Sequence, residues 1–171
     1  MKYKNLLIVP VLDIPDGEIV PTDNLLDIFR LVVQMEQICT EQSGIGLSAV
    51  QVGVPLNLFI VQRDDAYEYY LNCEYEGIGE KHPSVEGCLS LRDKEGKLRR
   101  FEVQRFASVK LKGQQLKVSA GNGNCGNLTD ALKIENIERV ENGLYAVVMQ
   151  HEIDHQLGIL ISDFGKEVEI Y

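Results

Sequence analysis

The chain lacks any apolar run approaching the roughly 20 residues that cross a bilayer, which excludes a membrane-spanning helix on sequence. Met1-Lys2-Tyr3-Lys4-Asn5 is followed by too short an apolar run for a signal peptide, and no Arg/Ser-rich transit segment precedes the domain. A cytoplasmic protein of a bacterial cell is the expectation. Cys39, Cys73, Cys88 and Cys125 include no Cys-x-x-Cys pair, which disfavours a cysteine-only zinc site, and without a leader they read as free thiols or ligands. Base is in deficit, with 17 Lys+Arg against 26 Asp+Glu and a net charge of −9. That argues against direct nucleic-acid recognition, leaving only a small basic cluster over residues 94–105. Internal repeats and linker-like stretches are also missing. The 171 residues, 44% hydrophobic and 25% charged, therefore read as a single globular domain, 1–171.

Within that domain, Leu25, Ile28, Val32, Met35 and Cys39 recur at helical spacing, predicting a helix from a cap at Thr22 or Asp23 to about Glu41. Cys39 on this stripe reads as packing. Gly44 and Gly46 are expected to end the helix by accepting positive φ. Residues 57–62 and 67–72 read as strands about the turn Arg63-Asp64-Asp65. Val109 and Leu111, answered by Leu116 and Val118, predict a hairpin turning at Lys112-Gly113. Residues 119–130 are a loop on composition, with Cys125 in it lacking an evident partner. A second helix is expected from about Asn142 to Gly158. The class is α+β: mainly antiparallel strands packed around a central helix.

That second helix carries Gln150-His151-Glu152-Ile153-Asp154-His155. Histidines four residues apart project from one helix face and can reach one metal ion, with Glu152 beside it as general base. A tetrahedral site needs a third protein ligand. The usual metalloprotease extension would place it six residues beyond His155, where Ile161 stands, and only Glu167 and Glu169 follow. His82, the remaining histidine, lies in the polar stretch 80–84 and reads as exposed loop. Cys88, between Gly87 and Leu89-Ser90, could present a thiolate or be a small buried hydrophobe. The residues alone leave the third ligand open.

Three segments resemble motifs of the peptide deformylases: Gly44-Ile45-Gly46-Leu47-Ser48-Ala49-Val50-Gln51, then Glu86-Gly87-Cys88-Leu89-Ser90, then the histidine motif. They occur in the family's order and at similar separations, and Val103-Gln104-Arg105-Phe106-Ala107-Ser108-Val109 also fits. The resemblance implies Cys88, His151 and His155 as metal ligands with water in the fourth position. It implies a hydrolase that removes the formyl group from N-terminal formylmethionine of nascent polypeptides, releasing formate. Metal-bound hydroxide would attack the formyl carbon, with Glu152 as general base and acid. The Gln51 amide and the Leu89 backbone N–H would meet the oxyanion. Gly46 would let an extended peptide approach as an added strand, and Ile45, Leu47 and Val147 or Val148 are candidate walls for the methionine side chain. Ligand affinity alone favours zinc, whereas the resemblance implies Fe(II), with zinc, nickel or cobalt able to substitute. The implied partners are a formylmethionyl peptide and, transiently, the ribosome, with no membrane; a monomer is expected.

Arg105 is a candidate partner of Asp154 or Glu86; an exposed strand arginine is the alternative. Departures from the family pattern are Val50 where proline is frequent, Ser48 where alanine is usual, Cys73 where proline often follows asparagine, and Gln156 for a usual leucine. None removes a catalytic group. The chain ends 16 residues after His155, without the longer C-terminal helix of many cellular members, which resembles phage-encoded ones. A zincin-type protease, disfavoured by Ile161, and a binder of formylated ends without activity, disfavoured by Glu152 and Gln51, are the competing readings.

Overall fold

In the computed structural model, residues 3, 6–119 and 128–169 are described, the Leu12 side chain excepted. The elements are α1 (Leu25–Glu41), β1 (Gly46–Ser48), β2 (Leu58–Arg63), β3 (Ala66–Arg92), β4 (Leu98–Val118), β5 (Leu132–Asn142), α2 (Gly143–Gln156), α3 (Ile161–Phe164) and β6 (Lys166–Val168). Strands β1 to β5 lie side by side in chain order, with β6 on β4, and every pairing within this sheet is antiparallel. The α+β expectation holds.

The sheet separates two cores because successive strand side chains point to opposite faces. Leu58 and Ile60 of β2 and Leu71 of β3 pack with Leu31, Val32, Met35 and Cys39 of α1. Phe59, Val61 and Tyr70 point the other way, joining Val148, Met149 and Ile153 of α2. Each such fully buried side chain contributes about 1.5–3 kcal/mol. Cys39 is therefore core, as its spacing predicts. Helix α1 is capped by Asn24, whose Oδ1 accepts the Asp27 N–H at 3.2 Å, rather than by Thr22 or Asp23. It ends with the positive φ on Ser43, not on a glycine. Asn142 precedes α2, and Gly158, φ +70°, follows its last turn, as expected.

Two expectations fail in the sheet. Residues 80–84 are strand, paired with β4 at His82↔Arg105 and Pro83↔Gln104, although His82 is exposed as predicted. Charged residues and a proline masked a strand whose register slips three times, between Leu71/Glu74, Ile78/Lys81 and Gly87/Arg92. No hairpin turns at Lys112-Gly113: β4 runs straight through. Gly113 is there because a Cβ would fall 2.5 Å from Cys73 Sγ on β3, so glycine lets the strands close up, rather than turn. The hairpin turn lies instead at residues 93–97, where Asp93 Oδ1 accepts the N–H groups of Glu95 and Lys97. Residues 120–127, with Cys125, are outside the described residues. Among the described residues, no helix is long and apolar enough to cross a membrane.

Candidate metal centre

Helix α2 is buried on most sides, with nine of its 14 residues buried, and polar groups on it need partners. Gln150 supplies the anchor. Its Nε2 donates to the Phe106 carbonyl at 2.9 Å and its Oε1 accepts the Phe106 N–H at 3.0 Å, so one amide side chain bonds both polar groups of a β4 residue. That fixes the roll of α2 and aims the next residue, His151, at the end of β3.

There the donor atoms converge. Cys88 Sγ lies 3.3 Å from His155 Nε2, which lies 3.1 Å from His151 Nε2. All three ligand atoms fall within 4.8 Å of one another. A four-coordinate ion with nitrogen at about 2.0–2.1 Å and sulfur at about 2.3 Å spaces its ligands roughly 3.3–3.6 Å apart, close to the 3.3 and 3.1 Å separations about His155 Nε2. Tautomers point the same way. His151 Nδ1 faces Glu86 Oε2 at 2.9 Å and donates its hydrogen there, leaving Nε2 as a lone pair aimed at the other ring. With its hydrogen on Nδ1, His151 turns Nε2 toward His155 Nε2 and Cys88 Sγ, a nitrogen and sulfur donor set suited to one cation.

The electrostatics agree. Burial alone would push the His151 imidazolium down, but hydrogen bonds to Cys88 and Glu86 and the negative charge nearby outweigh it, raising the group to about 10. Burial, then His151 and Arg105, hold His155 well below the usual range. Burial pushes Glu152 up to about 7, and its Oε2 has no hydrogen-bond partner among the described residues. A buried carboxylate without a partner beside two imidazoles is suited to holding and passing a proton.

Behind the ligands, Arg105 bonds Glu86 through two nitrogens and Asp154 through a third, and the Phe164 ring covers its guanidinium at 5.4 Å. Both partners proposed for Arg105 on sequence are real, and the exposed alternative is excluded because Arg105 is 4% exposed.

In front of the ligands lies a cavity of about 360 Å³, walled by residues 43–46, Glu86, Gly87, Leu89 and α2. Gln51 is locked into it: Oε1 accepts the Ser48 N–H at 2.9 Å, so Nε2 faces the site, donating to Ser90 Oγ at 3.1 Å and Cys88 Sγ at 3.5 Å. Ile45, Gly46, Leu89, Val147 and Val148 line the cavity as anticipated. Leu47 does not. Its side chain alternates to the opposite face of β1 and is fully buried in the α1 core. A Cβ on Gly46 would fall 2.5 Å from Glu152 Oε1, so the glycine makes room for the carboxylate. The protease alternative finds no ligand: Ile161 packs with Phe101 and Val103, and Glu167 is taken by Arg99. Ser90, Gln150, Leu98 and Arg100 were not foreseen as site residues. Ser90 and Gln150 stood inside the quoted motifs and Arg100 inside the basic stretch 94–105, whereas nothing in the sequence singled out Leu98.

Comparison with known proteins matches residues 10–124 to the polypeptide deformylase family profile. A peptide deformylase of Hyphomonas neptunium is 31% identical over 144 residues, covering 81% of this chain and 70% of that one. A probable peptide deformylase from Synechococcus phage S-SSM7 superposes with a TM-score of 0.73 at 28% identity, covering 94% of this chain and 99% of the other. The actinonin-bound class I type b enzyme of Acinetobacter baumannii gives 0.73 at 26% identity, with the same coverage of 94% and 99%.

Proposed function

Because the chain belongs to the polypeptide deformylase family, metal-dependent hydrolases that remove the N-formyl group of nascent peptides, we propose a role for each residue of its site. Cys88, His151 and His155 hold a divalent cation, Fe(II) in the cell, with zinc, nickel or cobalt able to replace it. The convergence of Sγ and two Nε2 atoms beside a partnerless carboxylate carries this reading. When bound, the cation supplies Lewis acidity, lowering the pKa of water from about 15.7 toward about 7 and polarising the formyl oxygen.

The chain's own groups do the rest. Glu152 takes the proton of the attacking water on its carboxylate and returns it to the leaving amine, so that formate and a free amino terminus result. Gln51 Nε2 and the Leu89 N–H donate to the oxygen as negative charge develops there. Those donors are set before substrate arrives, since Ser48 and Ser90 fix the Gln51 amide at both ends. Gly46 and Gly87 bring main chain to the cavity from two sides, which supports binding of an extended formylmethionyl peptide by its backbone. Ile45, Val147 and Val148 surround the methionine side chain. As finer points of this reading, the enzyme works as a cytoplasmic monomer and meets nascent chains in transient contact with the ribosome.

The test is formate release from formyl-Met-Ala-Ser by anaerobically prepared Fe(II) protein, with Glu152→Ala as control. Formate well above the control supports the assignment. Formate no greater than the control's removes it.

A further inference from the structure

Along β4, Phe101, Val103 and Arg105 alternate onto one buried face, so a cation ends a strip that is otherwise apolar. Arg105 Nε and Nη2 donate to Glu86, and Nη1 donates to Asp154. A guanidinium carries its N–H groups in its plane, so these bonds fill the edge and leave the two faces to be covered by other means. The Phe164 ring lies over the group, with its centroid 5.4 Å from Arg105 Cζ. Arg105 is buried while Phe164 is 49% exposed, which sets the ring between the cation and solvent.

Local structure puts the ring there. Asp163 Oδ2 accepts the Leu160 N–H at 2.7 Å, and the Gly165 N–H donates to the Ile161 carbonyl at 2.9 Å, closing the single turn of α3. A Cβ on Gly165 would fall 2.6 Å from Val103 Cγ1 and 3.1 Å from Phe101 Cβ, so glycine lets the backbone lie directly on β4. Beyond it, β6 runs antiparallel to β4, with Lys166 opposite Glu102 and Glu167 opposite Phe101. Followed backwards, that register carries Phe164 toward Arg105. The same turn sends Ile161 into the apolar cluster around Cys88. The segment therefore backs the metal centre at two points, one ligand and the arginine behind another.

We propose that Phe164 is a positioning residue for the metal centre: its ring holds the Arg105 guanidinium on Glu86 and Asp154, and so fixes the His151 imidazole that faces the cation. This rests on the reading of Cys88, His151 and His155 as metal ligands. A cation within about 6 Å of an aromatic face is attracted by the ring's quadrupole, more strongly where water is excluded. An aliphatic side chain in the same place would keep water out without that attraction. Because Glu86 Oε2 also accepts the His151 Nδ1–H at 2.9 Å, any tilt of the guanidinium passes through Glu86 to the imidazole.

The experiment measures equilibrium affinity for Co(II) in competition with a chelator. Its signal is the thiolate-to-cobalt charge-transfer absorption that ligation by Cys88 produces. The parent chain is compared with Phe164→Tyr, Phe164→Leu and Phe164→Ala, and urea midpoints of the four metal-free proteins are taken alongside. Phe164→Tyr keeps the aromatic face and should bind Co(II) within about twofold of the parent. Phe164→Leu should bind about three- to tenfold more weakly, just below the range for losing the group that orients a ligand directly, and Phe164→Ala at least as weakly. Parent-like affinity in Phe164→Leu, or a loss in Phe164→Tyr as large as in Phe164→Leu, overturns the inference. Affinities that simply follow the urea midpoints across the series also overturn it, since the ring would then be ordinary packing. A parent chain that shows no charge-transfer band with Co(II) overturns the metal reading itself and this inference with it. A parent that binds Co(II) beside variants that bind it equally well removes the inference alone.

Discussion

Arg105 grips Glu86 at two points, with Nε 2.9 Å from Oε1 and Nη2 3.1 Å from Oε2. Both residues are buried, at 4% and 8% exposure. Burial by itself would push the Glu86 carboxyl up, but His151 and Arg105 outweigh it and hold it below the ordinary range. A fixed, charged Glu86 then dictates which nitrogen of His151 carries hydrogen. An arginine on β4 thus sets the lone pair that faces the cation, through one carboxylate on β3.

Replacing Arg105 by alanine leaves Glu86 and Asp154 buried without their counter-charge. Breaking a buried pair from one side costs about 3–5 kcal/mol, and loss of the group orienting a ligand lowers metal affinity about 10–100-fold. The expected outcome is a lower melting temperature and metal loss at lower chelator concentration. Arg105→Lys keeps the charge without the fork and should fall between. Thermal melts and metal per chain after graded chelation check this; parent-like values for both would refute the relay.

Gly46→Ala tests a different contact. The new Cβ would sit 2.5 Å from Glu152 Oε1 and 3.1 Å from Val148 Cγ1, so the carboxylate must move. Displacement of a reacting group by about 1 Å costs on the order of 100-fold in rate. The ligand atoms lie elsewhere, so metal content should hold while kcat falls. Parent-like kcat with full metal content would show that Glu152 has room to spare.

Much of this site was legible because its chemistry is local in sequence: His151, Glu152 and His155 need only one helix to come together. Cys88 was ambiguous on its own and became a ligand candidate through resemblance, since the strand that delivers it lies across the fold. Leu47 misled because β1 is only three residues long, too short for alternation to show which side chain faces the core. The β3/β4 hairpin was missed between residues 73 and 92 because glycines, a proline and charged residues interrupt the period-2 pattern at its bulges. Gly113 looked like a turn, and only the Cys73 contact across the sheet shows what it does.

Gln51 and Ser90 should separate by magnitude. Gln51→Ala removes a donor to the developing oxyanion, and kcat is expected to fall about 100- to 1000-fold. Ser90→Ala removes one hydrogen bond that steadies that amide, an effect of about tenfold or less. In both variants KM should move less than kcat, because the interaction matters most once charge has developed. Steady-state kinetics on one formyl peptide checks the order; a Ser90→Ala loss confined to KM would assign that hydroxyl to peptide binding instead.

Acid stability should be governed partly by Glu68, near the start of β3. Burial alone pushes its carboxyl up, but the Tyr70 hydroxyl, then Arg139 and Arg63, outweigh this and hold it below the ordinary value. In the unfolded chain Glu68 takes a proton near pH 4.3, about the usual glutamate value, and in the folded protein only at lower pH. Its contribution is therefore complete above about pH 4.3 and drains away as pH falls through the folded value. Glu68→Gln should cost stability at neutral pH and flatten the acid limb, so the parent and variant curves converge as pH drops. Urea midpoints from about pH 6 to about pH 3 test this through the linkage of stability to proton uptake. Curves that stay parallel across that window would mean the Arg63 and Arg139 cluster gives Glu68 no net stabilisation.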